Sequence, residues 1–117
     1  MDARLISFGL IEIGGHRFEH DVVLEGGVVR RRKKGASKAY RDRYGHTPLS
    51  PDEDIPWSGL RLVVGTGASG QLPVMPEVRE EARVRGVELI ALPTSEACRL
   101  LGSIDKRDVY AILHVTC

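Results

Sequence analysis

The stretch Leu60-Arg61-Leu62-Val63-Val64-Gly65-Thr66-Gly67-Ala68-Ser69-Gly70 runs from an apolar segment straight into a glycine-rich turn. Five residues with this apolar content, bounded by turn formers, read as a buried strand, Leu60 to Val64. Everything after it alternates. Pro76 to Arg85 predicts a helix, with Glu77, Glu80 and Glu81 early, Arg83 and Arg85 late, and Gly86 as its stop. Val87 to Leu92 predicts a second buried strand. Thr94 is the expected cap of a second helix, whose inner face is Ala97, Leu100, Leu101 and Ile104. Val109 to Thr116 predicts a central strand, apolar on one face and half so on the other. Such strand–helix steps favour parallel crossovers. The direction of the last strand stays open.

The first part of the chain has a different style. Leu5 to Arg32 reads as an antiparallel meander. Gly14-Gly15 and Gly26-Gly27 supply two-residue turns, both positions tolerating positive φ. The first turn sets Ile13 opposite His16 and Ile11 opposite Phe18, on one face. Gly9, at a change of hydrophobic phase, marks a bend or bulge. Val22-Val23-Leu24 reads as a continuation of the second hairpin strand. Lys33 to Pro56 has no sustained period and reads as a long loop, with a short helical turn opening at Ser50-Pro51. Trp57, the only tryptophan, is expected to pack against the sheet edge. The whole predicts one α/β domain of three layers over residues 1–117. It has an N-terminal antiparallel β-meander (1–32), a basic, Pro-rich loop (33–56) and a βαβαβ unit (57–117) with a mixed central sheet and two surface helices.

Charge is the next constraint. The net charge is +1, but residues 29–43 hold eight basic groups and one acid, leaving the rest of the chain at −6. Arg30, Arg31, Arg32, Lys33, Lys34 and Lys38 form a candidate basic patch for phosphate backbone, with Tyr40 and Tyr44 available for stacking. A solvated mobile loop is the plainer reading of such a run. No apolar run approaches the length of a membrane span, and the N-terminus does not resemble a signal peptide, so the expectation is a cytoplasmic location with no membrane partner. Cys98 and Cys117 fit no metal-finger spacing. They read as a small buried thiol and a terminal residue, with a disulfide disfavoured.

Residues 65–70 satisfy the letters G-x-G-x-x-G, yet their surroundings reject a dinucleotide. Gln71 to Pro76 intervenes before the helix, prolines at 73 and 76 bar an earlier one, and no acid closes the next strand. No Lys-Ser or Lys-Thr follows Gly70, so a P-loop is excluded. A weaker candidate remains. Gly65, Thr66, Gly67, Ser69 and Gly70 can form an anion-binding nest at a strand's carboxyl end, or simply turn the chain tightly. His46, Thr94 and His114 are candidate residues of a pocket beside it. A His, a Thr and a Cys there suit nucleophile–base chemistry, although a hydrogen-bonded packing role for His114 is the simpler expectation. No cofactor, metal site or complete catalytic motif is expected.

Asp21-Val22-Val23-Leu24, Gly45-His46, Leu62-Val63-Val64-Gly65-Thr66-Gly67, Gly70, Thr94 with Ala97, and Leu113-His114-Val115-Thr116-Cys117 fall in one order and spacing. In this the chain resembles a small single-domain family that includes the adipogenesis-associated domain protein and the mitochondrial NADH dehydrogenase (complex I) assembly factor three. The resemblance implies a three-layer fold with a mixed sheet, and no established activity or cofactor. The chain departs from the family in its second helix, where Leu101-Gly102 replaces a frequent Tyr-Asn, and in a longer basic loop. A non-enzymatic protein-interaction or assembly module is the first functional expectation. A small-molecule or anion-binding domain is the second, and nucleic-acid binding through the basic loop the third. Self-association stays open.

Overall fold

The computed structural model describes residues 1–117. Ala3–Ser7 (β1), Leu10–Ile13 (β2) and His16–Phe18 (β3) form a small antiparallel sheet. The register is the expected one, Ile13 opposite His16 and Ile11 opposite Phe18. Gly14 and Gly15 take φ of 56° and 83°, the double positive φ that a two-residue hairpin needs. The change of phase near Gly9 corresponds to a register shift between Leu5 and Ser7.

The meander does not continue as one sheet. Val22–Glu25 (β4) and Val28–Arg31 (β5) leave it and join a second sheet of order β5-β4-β8-β6-β7. Here β6 is Arg61–Thr66, β7 Glu88–Leu92 and β8 Tyr110–His114. The break falls at residues 19–21, where the Asp21 carboxylate accepts the Val115 N–H (2.9 Å) and fixes the start of β4 beside β8. β8 is parallel to β6 and antiparallel to β4, so the sheet is mixed and β8 lies at its centre.

Strict alternation on these central strands supplies two cores. Val22, Leu24, Val63, Ala111 and Leu113 face one side, against Ile11 and Ile13 of the small sheet and helix α3, Thr94–Leu101. Val23, Leu62, Val64 and Ile112 face the other, against Leu49, Leu72, Met75 and helix α2, Pro76–Arg85. Each fully buried Leu or Val contributes roughly 1.5–3 kcal/mol. These are the three layers. α2 starts at its proline and ends at Gly86, whose φ of 69° closes the last turn.

Several local expectations are corrected. Leu60 is 87% exposed and precedes β6 rather than opening it. β7 is an edge strand of intermediate burial, because β8 inserts on the far side of β6. Ser50-Pro51 makes a turn and no helix; the Ser50 hydroxyl accepts the Asp52 N–H and donates to Ser37 Oγ instead. Thr94 caps nothing, for its hydroxyl is engaged elsewhere. The long basic segment is folded, with a 3-10 helix at Gly35–Tyr40 followed by one α-turn, Arg41–Tyr44 (α1). Trp57 packs half-buried against the α2-side core, with the Arg85 guanidinium 5.5 Å from its ring centre. No helix is long and apolar enough to cross a membrane.

Candidate functional site

The glycine turn after β6 is spent on structure. Gly67 N–H donates to Thr94 Oγ1 (2.8 Å), Ala68 N–H to Thr116 O (2.7 Å), and Ser69 and Gln71 N–H to Cys117 O (3.1 and 3.0 Å). Gly70 N–H bonds Gly67 O, so the turn grips the segment after β8 with consecutive donors. A Cβ at Gly67, which holds φ +110°, would sit 2.6 Å from Cys117 O; this is a close backbone approach that only glycine permits. Thr66 is buried at the end of β6, and Ser69 is exposed. Thr94 ties the pieces together by donating its hydroxyl to His114 O (2.6 Å) while accepting from Gly67. Thr94→Val keeps the shape and leaves both backbone groups unpaired. It is expected to cost about 1–3 kcal/mol in urea unfolding, and an unchanged midpoint would refute the strut role.

Beneath this turn lies a buried charge cluster, none of it adjacent in sequence. The Arg32 side chain is 1% exposed, and its partners Asp21 and Glu53 are 6% and 3% exposed. Arg32 donates from Nε and Nη2 to the two Glu53 oxygens (2.8 Å each), from Nη1 to Asp21 Oδ2 (2.9 Å), and from Nη2 to Pro48 O (3.1 Å). Ser37 adds a hydroxyl to Glu53 Oε2. No buried side-chain polar atom lacks a partner, which such a cluster requires. Burial opposes the charge on Arg32, but Glu53 and Asp21 outweigh it and raise its pKa above the ordinary value. Burial likewise opposes ionisation of Asp21. The hydrogen bond and charge of His114, the Val115 N–H and Arg32 more than offset it, holding Asp21 at about 2.

His114 bridges the cluster to the surface: Nδ1 lies 2.8 Å from Asp21 Oδ2, and Nε2 lies 3.2 Å from Thr116 Oγ1. Both side chains border a cavity of about 390 Å³ also lined by Arg32, Lys34, Lys38, Arg41, His46, Leu72 and Cys117, with no Asp or Glu side chain on its wall. A second cavity of about 370 Å³ shares Arg32, Lys34, Lys38 and Thr116 with it, and adds Arg31, His20 and Glu19.

The predicted residues are thus only partly assembled. His46 and His114 share the first cavity; Thr94 stands behind it, bonded to the His114 carbonyl. The basic run is divided. Arg30 turns to Glu25 and Asp54 (3.9 and 3.4 Å), Arg32 is buried, Lys33 is exposed, and Lys34 and Lys38 flank both cavities. The sequence pattern does not single out Asp21, Glu53, Arg41 or Thr116 as site residues. Only the acid directly before the apolar run Val22-Val23-Leu24 hints at the first; Glu53, between Asp52 and Asp54, carries no such signal. Cys98 is a buried free thiol pushed up to about 11 by burial, and Cys117 is also free.

A mixed five-stranded sheet with a three-stranded sheet and a helix on one face, a helix on the other and a basic cavity at the carboxyl end of its central strand defines a small α/β domain class. The chain belongs to the family described as "Protein of unknown function (DUF498/DUF598)", whose pattern matches residues 4–114. Its resemblance to the adipogenesis-associated and complex I assembly-factor domains is membership of that family. It is similar to conserved hypothetical protein PH1505 from Pyrococcus horikoshii OT3, with 35% identity over 100% of both chains and a TM-score of 0.78. It is also similar to MT938, with 25% identity over 94% of this chain and 93% of that one, TM-score 0.66. A Mth938-like domain from Bordetella pertussis shares the fold at 22% identity over 96% of this chain and 85% of that one, TM-score 0.57. No curated protein matches the chain.

Proposed function

We propose that this domain binds a small anionic molecule, a phosphate or carboxylate compound, in the cavity lined by Lys34, Lys38, Arg41, His46 and His114. One observation carries the reading: the wall holds several cationic side chains and no Asp or Glu side chain. Arg32 is already met by Asp21 and Glu53, so the uncommitted charge is that of Lys34, Lys38 and Arg41. A volume of about 390 Å³ suits a metabolite rather than a macromolecular groove. The ligand sits beside the glycine turn, because the donors of residues 67–71 serve the chain itself. This reading precedes an interaction or assembly role because it rests on a formed cavity, whereas the other rests on kinship alone.

Titration with inorganic phosphate and with succinate, followed by calorimetry and thermal shift, tests it. At ten times the Kd, saturable binding stabilises the fold by about 1.4 kcal/mol. Lys34→Glu with Lys38→Glu should weaken binding at least about tenfold, an effect of about 1.4 kcal/mol. No shift at ten millimolar of either anion, or equal binding by the double variant, would rule the site out.

A further inference from the structure

The side chains at the floor of this cavity have an arrangement that binding alone does not call for. Asp21 is buried and ionised at neutral pH, so its oxygens only accept hydrogen bonds. The neutral imidazole of His114 therefore carries its proton on Nδ1, donated to Asp21 Oδ2 at 2.8 Å. Its Nε2 is left with a lone pair, and the Thr116 hydroxyl, 3.2 Å away, donates to it. Residues 114 and 116 stand two apart on one strand direction, so both side chains leave the same face and reach the cavity. The backbone beneath them is fixed. Thr94 holds His114 O at 2.6 Å, Ala68 N–H holds Thr116 O at 2.7 Å, and Val115 N–H is bound by Asp21.

We propose that Asp21, His114 and Thr116 form an acid–base–nucleophile relay that moves the acyl group of a small anionic carboxylic ester onto Thr116 and then to water. The choice of an anionic substrate rests on the binding reading above; the relay rests on the three side chains alone. In the first half, Thr116 Oγ1 forms a bond to the acyl carbon while its proton passes to His114 Nε2. The carbon–oxygen bond to the leaving alcohol then breaks, and that alcohol departs with the proton from Nε2. In the second half, water attacks the threonyl ester and gives its proton to Nε2. The acid leaves and the proton returns to Thr116. No oxidant or reductant enters. Asp21 fixes the tautomer and stabilises the imidazolium that forms at each half-step. Lys34 and Lys38 border the same space and supply positive charge for the transient oxyanion.

The test uses mono-para-nitrophenyl succinate as the anionic ester and para-nitrophenyl acetate as the neutral one. Wild-type protein is expected to release a stoichiometric burst of nitrophenolate from the succinate ester and to gain one succinyl group on the peptide bearing Thr116. Thr116→Ser should keep the adduct, Thr116→Ala should lose it, and His114→Gln should slow acylation roughly 10²–10⁴-fold. Circular dichroism establishes that each variant is folded. If His114→Gln does not fold, the Thr116 pair decides alone. An adduct on a lysine, an equal burst from Thr116→Ala, or no burst from the wild type would overturn the relay. Phosphate binding without a burst leaves the binding reading standing. A burst from the acetate ester in protein that binds no anion does the reverse.

Discussion

Replacing Arg32 with methionine is expected to destabilise the fold by about 3–5 kcal/mol, the range found when one partner of a buried ion pair is removed. For a chain of 117 residues that lowers the melting temperature by roughly 12–20 °C. The reason is what stays behind. Asp21 and Glu53 are nearly solvent-free and together accept three charged hydrogen bonds from this side chain. Without it two carboxylates face each other in the interior. Arg32→Lys restores the charge but not the fork, since an ammonium cannot hold both Glu53 oxygens, Asp21 Oδ2 and Pro48 O together. It should recover part of the loss only. Thermal and urea unfolding of the two variants measures this. A loss below about 1 kcal/mol for Arg32→Met would mean that the cluster is hydrated rather than buried.

The backbone plan was legible wherever neighbouring residues dictate it. Gly14-Gly15 fixes its hairpin register, because a two-residue turn with double positive φ leaves one pairing for Ile13. Pro76 and Gly86 bracket α2 for equally local reasons. The separation of β3 from β4 was not legible, because both sides of the break are strand-forming. Asp21 stops the strand by bonding the Val115 N–H, 94 residues away in sequence. Thr94 failed as a cap for the same kind of reason, since His114 O and Gly67 N–H compete for its hydroxyl and win.

The site divides along the same line. Lys34, Lys38, His46 and His114 were readable as candidates by type and neighbourhood, and the first cavity contains all four. Arg32 looked like its five basic neighbours in the run from 30 to 38. Its burial depends on Glu53, 21 residues on, and on Asp21, 11 residues back, pairings that no local period encodes. Treating the run as a uniform patch therefore overstates the free positive charge. The segment folds over the cavity because its arginine is drawn inward, and that leaves Lys34 and Lys38 at the rim. The glycine turn, an anion nest by its letters, contributes instead by pinning the chain on which His114 and Thr116 stand.

Acid unfolding probes the same cluster independently. A carboxylate whose folded pKa is depressed stabilises the fold above its unfolded value, and the stabilisation is lost as pH falls through the folded one. Asp21 moves from 3.8 to about 2, so its contribution is complete above about pH 5 and drains away towards pH 2. A displacement of that size corresponds to about 2–3 kcal/mol. Asp21→Asn should therefore cost about that much at pH 7 and progressively less as pH falls, its acid limb running shallower than the wild type's. Glu12, Glu80 and Asp105 are also lowered, by Arg17, Arg83 and Arg107 respectively, but these pairs lie at the surface and salt screens them. The discriminating measurement is urea unfolding from pH 7 to pH 2, with and without added salt. The Asp21-dependent difference between wild type and variant should survive the salt, because its groups lie beneath the surface. Parallel acid limbs for the two proteins would show instead that Asp21 titrates alike in the folded and unfolded chains, and the buried network would lose its principal support.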